Sequence, residues 1–273
     1  MKGQRDLDDV RPRAVLLTAC LLLAHLPGCR SDPQPAPAPR SFPERIAQAH
    51  GIDAWRNQEG LTGRLLLAFE GQPPLELRFA HEVHGGRARM ETADGTVLVW
   101  DGRHAWVSPS ASPMPMARFH LLSWPYFLAV PFKLGDPGVQ LGEPAAGTLR
   151  GKSYSTSRMT FAPGTGDAPD DWYVVYADPQ THRLEALAYI VTYGQSKAKA
   201  EEDPHAITYH DFQRVDGVLV PHEWRFWSWN ASAGIHGQPL GRGVLSNLDF
   251  APLEPNAFAR PQDAREDPLP PRQ

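Results

Sequence analysis

The chain has 273 residues, 41% of them hydrophobic, a normal share for a sequence that builds a core, so wholesale disorder is excluded. Its 23 glycines and 28 prolines are about 19% of the chain against about 12% in ordinary composition, which disfavours a helical bundle and favours short strands joined by turns. A net charge of −4 and a pI near 6.3 leave no basic field for a phosphate backbone, so no nucleic-acid partner is expected, and no run of eighteen apolar residues forms a membrane helix.

Residues 14–26, AVLLTACLLLAHL, follow Arg11 and Arg13 and have the apolar core of an export signal. Directly after them, Leu26-Pro27-Gly28-Cys29 resembles the lipobox of bacterial lipoproteins. That resemblance implies removal of residues 1–28, lipidation of Cys29 and attachment to a membrane by an N-terminal lipid anchor. In that pattern an Asp after the Cys retains the protein at the inner membrane. Arg30 stands there instead, which points to the periplasmic side of the outer membrane. The other cysteine, Cys20, lies inside the signal, so no disulfide is expected.

Residues 29–42 read as anchor and tether, with PQPAPAP at 33–39 favouring extended polyproline II. Ser41-Phe42-Pro43-Glu44 fits a capping box, and a helix begins there with Ile46 and Ala49 inward and Gly51 at its end. Beyond Trp55 the apolar period changes to two, as in Leu65, Leu67 and Phe69 and again in Leu75, Leu77 and Phe79. Further strands are expected at 86–92, 95–101, 103–108, 153–162, 172–178, 184–193, 205–214, 217–228 and 242–250. Asp94-Gly95, Asp101-Gly102 and Asp216-Gly217 supply tight hairpin turns, and Asp178-Pro179 a type I turn. Connections this short make neighbouring strands antiparallel. The fold class is therefore mainly β, one long antiparallel meander of ten or eleven strands curled by its own twist. The domain is expected over 43–251, and 252–273 as a flexible Pro-rich tail.

Residues 117–134, ARFHLLSWPYFLAVPFKL, interrupt the strands and are apolar on nearly every side. Pro125 and Pro131 predict short helical pieces instead of one helix. The segment fits a core plug or a lid over a ligand cavity, and both place it against the concave face of the sheet.

His50-Gly51 with Trp55, Val99-Trp100-Asp101-Gly102, Trp106-Val107-Ser108-Pro109, the run Tyr126 to Leu134 and the run Gly166 to Tyr173 resemble an uncharacterised lipoprotein branch of the bacterial lipoprotein-carrier superfamily, LolA/LolB-like. The resemblance implies a half-open barrel covered by an N-terminal helix and a short helical insert, with a cavity that accepts acyl chains. Cavity residues expected on this basis are Trp100, Trp106, Phe119, Leu122, Trp124, Tyr126, Phe127, Phe132, Trp172, Trp224 and Phe226. A soluble carrier has no lipid anchor, so an anchored acceptor or binder of a lipid or lipoprotein acyl chain is expected, with an envelope lipoprotein as a possible partner.

Catalytic patterns fail on spacing. Gly151-Lys152-Ser153-Tyr154-Ser155 lacks the closing Gly of a nucleophile elbow, and His81-Glu82-Val83-His84 puts its histidines on opposite faces of a strand. No metal and no cofactor is expected. Asp167, Asp170 and Asp171 suit Ca²⁺ ligation or acid/base work, but the favoured reading is that Asp167 and Asp170 make side-chain turns and cap backbone N–H groups before the Trp172 strand. In 222–229, HEWRFWSW, Trp224 and Phe226 share one face while Arg225, Trp227 and Trp229 share the other, a face that suits lipid headgroups, a partner or burial by the chain itself. The expected protein is thus non-catalytic. The alternatives are a solid-cored envelope scaffold without ligand, or a hydrolase using the Asp167–Asp171 loop.

Overall fold

Antiparallel strands are the main regular structure of residues 40–271, the part of the chain that the computed structural model describes. The expected signal, Cys29 and the tether to residue 39 lie outside the described residues. Two short helices open the fold, α1 (Phe42–His50) and α2 (Ile52–Arg56). Glu44 accepts hydrogen bonds at 2.7 Å from both the backbone N–H and the hydroxyl of Ser41, which holds the first turn. Gly51 separates the helices at φ 87°, and a Cβ there would stand 2.4 Å from the Gly217 carbonyl oxygen, so only glycine lets α1 and α2 sit against that turn.

The first arm of the sheet is β1 (Gly60–Phe69), β2 (Leu75–Glu82), β3 (Ala88–Thr92), β4 (Val97–Trp100) and β5 (Ala105–Ser108), each strand pairing with the next. The chain then crosses in one helix, α3 (Ala117–Lys133), to the opposite edge. There β6 (Val139–Leu141) and β7 (Ala145–Leu149) both pair with β8 (Lys152–Phe161). The second arm continues through β9 (Tyr173–Ala177), β10 (Leu184–Tyr189), β11 (His205–Val215), β12 (Val218–Asn230) and β13 (Gly234–Phe250), with α4 (Lys197–Ala200) between β10 and β11. β13 returns to pair with β1, Leu245 opposite Leu65, and this pairing joins the arms. The expected single meander is thus two meanders, joined where β1, the first strand of one, pairs with β13, the last strand of the other, because α3 carries the chain across the sheet instead of along it. The outer edges do not pair with each other, so the sheet is an open half-barrel, mainly β, as expected.

Residues 252–271, expected as part of a loose tail, instead run back along the first arm. Arg265–Glu266 form β14 on the edge of β5, Asp267 donates its N–H to the Ala105 carbonyl at 2.8 Å, and Phe258 is buried beneath the Arg87 guanidinium. Composition concealed this because a few backbone bonds and one aromatic anchor suffice to cover an otherwise unpaired edge.

Period-two burial gives the sheet two apolar faces. The concave face carries Leu65, Leu77, Met90, Leu187, Ile207 and Trp224 against Ile46, Trp55 and α3. The convex face carries a second cluster that includes Trp172, Tyr176, Trp227, Trp229 and Ile235. Trp227 lies under Arg150 and Trp172 under Arg158, both capped by guanidinium groups. The alternative open for Trp227 and Trp229 is thereby decided: the chain buries them itself.

Candidate ligand cavity beneath the covering helix

Helix α3 is continuous over 17 residues despite Pro125 and Pro131, contrary to the expectation of short pieces. A proline removes the donor that would satisfy the carbonyl four residues earlier. For Pro131 that carbonyl belongs to Phe127, and the buried Tyr209 hydroxyl on β11 donates to it at 2.9 Å. A tertiary bond therefore replaces the helical one, and the helix continues through the proline. The N-terminus of α3 is held as well. Asp267 accepts from the Arg118 N–H at 3.0 Å. The Arg118 guanidinium makes a two-point pair with Asp167, at 2.5 and 2.9 Å, while lying over the Trp100 ring.

Between α3 and the second arm lies a cavity of about 600 Å³. Phe119, Leu122, Trp124, Tyr126 and Phe127 reach it from α3, and Phe226 from β12. Tyr173 and Tyr189, cross-strand partners on β9 and β10, line it together with Phe161 and Tyr193. Phe69 and Leu240 also line it. The loop expected to carry polar chemistry forms part of the wall, with Thr165, Asp167 and Asp171.

The remaining expected residues lie elsewhere. Trp224 is fully buried and lines a separate void of about 10 Å³ with His81 and Leu77; Trp124 borders both spaces. Phe132 stacks on Trp55 with ring centres 4.3 Å apart, fastening the end of α3 to the opening helices. Trp100 sits at the helix N-terminus under Arg118. Trp106 alternates away from the core-facing Ala105 and Val107, donates to Asp101 at 2.8 Å and lies under Arg260. Trp172 belongs to the convex cluster and donates to Glu201 at 3.1 Å.

Sequence reasoning did not assign Phe69, Tyr173, Tyr189, Tyr193 or His120 to the cavity. The parity of Tyr173 with Val175 and of Tyr189 with Leu187 carried the signal for two of them, since both valine and leucine face the concave core.

Burial governs the titration of the wall. His120 accepts at Nδ1 from the Trp124 indole N–H at 2.9 Å, and burial lowers its pKa to about 4, so the ring is neutral at pH 7. Burial raises the pKa values of the Tyr126, Tyr173 and Tyr189 phenols, which remain protonated donors. Tyr193 is pushed up to about 12 by burial and then by the Asp267 charge. The Tyr126 hydroxyl is buried without a hydrogen-bond partner among the described residues. Asp171 accepts from the N–H and the hydroxyl of Thr192, both at 2.7 Å, a tie to a distant segment that the sequence reading did not anticipate. With Asp167 committed to Arg118, two carboxylates of the loop serve as structural ties. Among the described residues no group of three His, Cys, Asp or Glu side chains has metal-binding geometry, and no helix is long and apolar enough to cross a membrane.

A family of unknown function, DUF6503, matches residues 108–228, which span α3 to β12. No curated protein sequence matches the chain. Among solved structures, a LolA superfamily protein from Nitrosomonas europaea is similar at 11% identity, covering 78% of this chain and 97% of that one with a TM-score of 0.51. A DUF1329 family protein from Desulfovibrio piger is similar at 11% identity, over 80% and 95% of the two chains, with a TM-score of 0.50. A domain assigned to outer membrane lipoprotein sorting, from Vibrio parahaemolyticus, is similar at 13% identity, over 78% and 94%, with a TM-score of 0.50. The fold is that of the LolA superfamily.

Proposed function

We propose, from a LolA-type half-barrel that keeps an apolar hollow under its covering helix, that this chain is a non-catalytic, lipid-anchored envelope protein holding a lipid or a lipoprotein acyl chain. The cavity carries the reading: about 600 Å³ falls within the range of pockets that take one small ligand, and its wall is mostly aromatic and aliphatic. An apolar hollow of that size does not gain by filling with water, whereas an acyl chain gains about 0.8 kcal/mol for each methylene it buries. The similarity in fold to a domain assigned to lipoprotein sorting supports a lipid-like ligand. The structural ties of Asp167 and Asp171 support a binding role over hydrolysis. For location, support comes from Leu26-Pro27-Gly28-Cys29 and Arg30: Cys29 carries the anchor, and the outer membrane is its destination.

Native mass spectrometry of protein taken from the envelope tests the ligand. The expected spectrum contains a species heavier by one lipid that collapses to the bare chain on delipidation. Protein that is always empty, and stays empty when offered lipid, rejects the reading. Fractionation of Cys29→Ala tests the anchor, with release from the membrane fraction expected.

A further inference from the structure

Rings dominate the cavity wall. Ten of its 22 residues are Phe, Tyr or Trp, against five that are Leu, Val, Met or Ala, so a ligand meets aromatic surface more than aliphatic. Each of the ten lies against another ring of the wall, and together they form one connected series with neighbouring ring centres 5.0 to 6.2 Å apart. Tyr189 carries the series from sheet to helix: Tyr173 stacks on it at 28°, and Phe127 of α3 meets it at 5.1 Å. An aromatic side chain has two torsions, and contact with neighbouring rings restrains both, so the wall is preformed. Phe119, Phe161 and Tyr193 are only partly buried, which leaves ring surface bordering the hollow for a ligand.

Two ligand chemistries gain differently from such a wall. A saturated chain gains from the area it buries and loses rotational freedom along its length. A flat unsaturated ring gains from area too, has no internal rotation to lose, and pairs offset or edge-to-face with the wall. Each such pair adds about two- to tenfold in affinity beyond area. We infer that the cavity selects a lipid that carries a planar unsaturated ring system over one whose apolar part is a saturated chain. This rests on the proposed ligand-binding function and narrows its lipid to a ring-bearing one. Phe119 on α3 and Phe161 on β8 are specificity-determining residues, since they border the hollow from the helix and from the sheet.

Three neutral twelve-carbon alcohols test the inference by calorimetry on the delipidated protein, each below its solubility limit: 2-(2-naphthyl)ethanol, its decahydro counterpart and 1-dodecanol. Dividing each association constant by the probe's water–octanol partition coefficient removes the difference in hydrophobicity. On that scale the naphthyl probe is expected to bind about tenfold more tightly than either saturated probe. Phe119→Leu and Phe161→Leu keep an apolar side chain and remove the ring, and each is expected to weaken the naphthyl probe about three- to tenfold more than dodecanol. Val191→Ala, which takes wall area without a ring, is expected to weaken all three probes alike. The probes are compared on the same variant, so a loss of folded protein cancels in the ratio. Equal corrected affinities, or leucine variants that weaken ring and chain by one factor, overturn the selectivity and leave lipid binding standing. A Val191→Ala loss as skewed toward the naphthyl probe as theirs does the same. Failure of all three probes to bind the parent rejects both this inference and the function on which it rests.

Discussion

The Tyr209 hydroxyl donates at 2.9 Å to the Phe127 carbonyl, the one group in α3 whose helical donor Pro131 removes and a sheet residue replaces. Helix and sheet are thereby keyed at the residue where the helix would otherwise fail. Tyr209→Phe leaves a buried carbonyl unmatched and is expected to cost about 1–3 kcal/mol in urea denaturation. In a Pro131→Ala background the backbone N–H returns, and the same substitution is expected to cost less than half as much. Equal costs in the two backgrounds would show that the hydroxyl has no such role.

Stability is expected to fall on acidification. His50 donates from Nδ1 to the Leu219 carbonyl at 2.9 Å and accepts at Nε2 from the Leu184 N–H at 3.0 Å, so the fold requires its neutral ring. Burial lowers the pKa of His50 to about 4, and does the same for His81 and His120. Each is therefore below its unfolded value near 6.5, and the unfolded chain binds more protons between those limits. Stability is flat above about pH 7 and declines from pH 6.5 toward 4, by on the order of 3 kcal/mol for each histidine at the acid end. Denaturation midpoints measured across this window check it, and His50→Gln is expected to flatten the slope.

The Arg118–Asp167 pair clamps the start of α3, with side-chain exposures of 12% and 21% that limit screening by solvent. Arg118→Met removes both the clamp and the charge over Trp100. Faster hydrogen exchange is expected at amides of the first turns of α3, with little change in β11 and β12. Uniform acceleration across the sheet would mean that the pair supports the whole fold and not one end of the helix.

Truncation before Arg260 uncovers the β5 edge and removes Asp267 from the α3 N-terminus. An exposed edge templates pairing with another chain. Size-exclusion chromatography is expected to show dimers or larger species growing with concentration, which lysine substitutions on the β5 edge suppress. A truncated chain that remains monomeric at every concentration contradicts this.

Much of the architecture was legible from residue order. Leu65 and Leu67, or Leu75 and Leu77, alternate because a strand turns its side chains by half a circle per residue, and that period survives any tertiary arrangement. Asp101 and Gly102 announced their hairpin for an equally local reason: the Asp101 carboxylate accepts from the N–H groups of Arg103 and His104 at 2.8 and 2.7 Å. Within the candidate site, Phe119, Leu122, Trp124, Tyr126, Phe127 and Phe226 share one cavity, while Trp100, Trp106, Phe132, Trp172 and Trp224 lie outside it. Hydrophobicity marks a side chain for burial without saying in which of several apolar spaces.

What the sequence by itself determined is local: strand parity, turn chemistry, the capped opening helix, an apolar insert too short for a bilayer, and the resemblance to a covered half-barrel. Only the tertiary structure decided that α3 passes unbroken through two prolines, that the sheet is two meanders joined by β1 and β13, that the Pro-rich end seals an edge, and that Trp227 and Trp229 are buried while Tyr173 and Tyr189 line the cavity. The division has one physical cause. Backbone geometry within a few residues is set by their own sterics and hydrogen bonds, whereas the donor for Phe127, the cover for β5 and the boundary between packed core and open hollow come from residues far away in the chain.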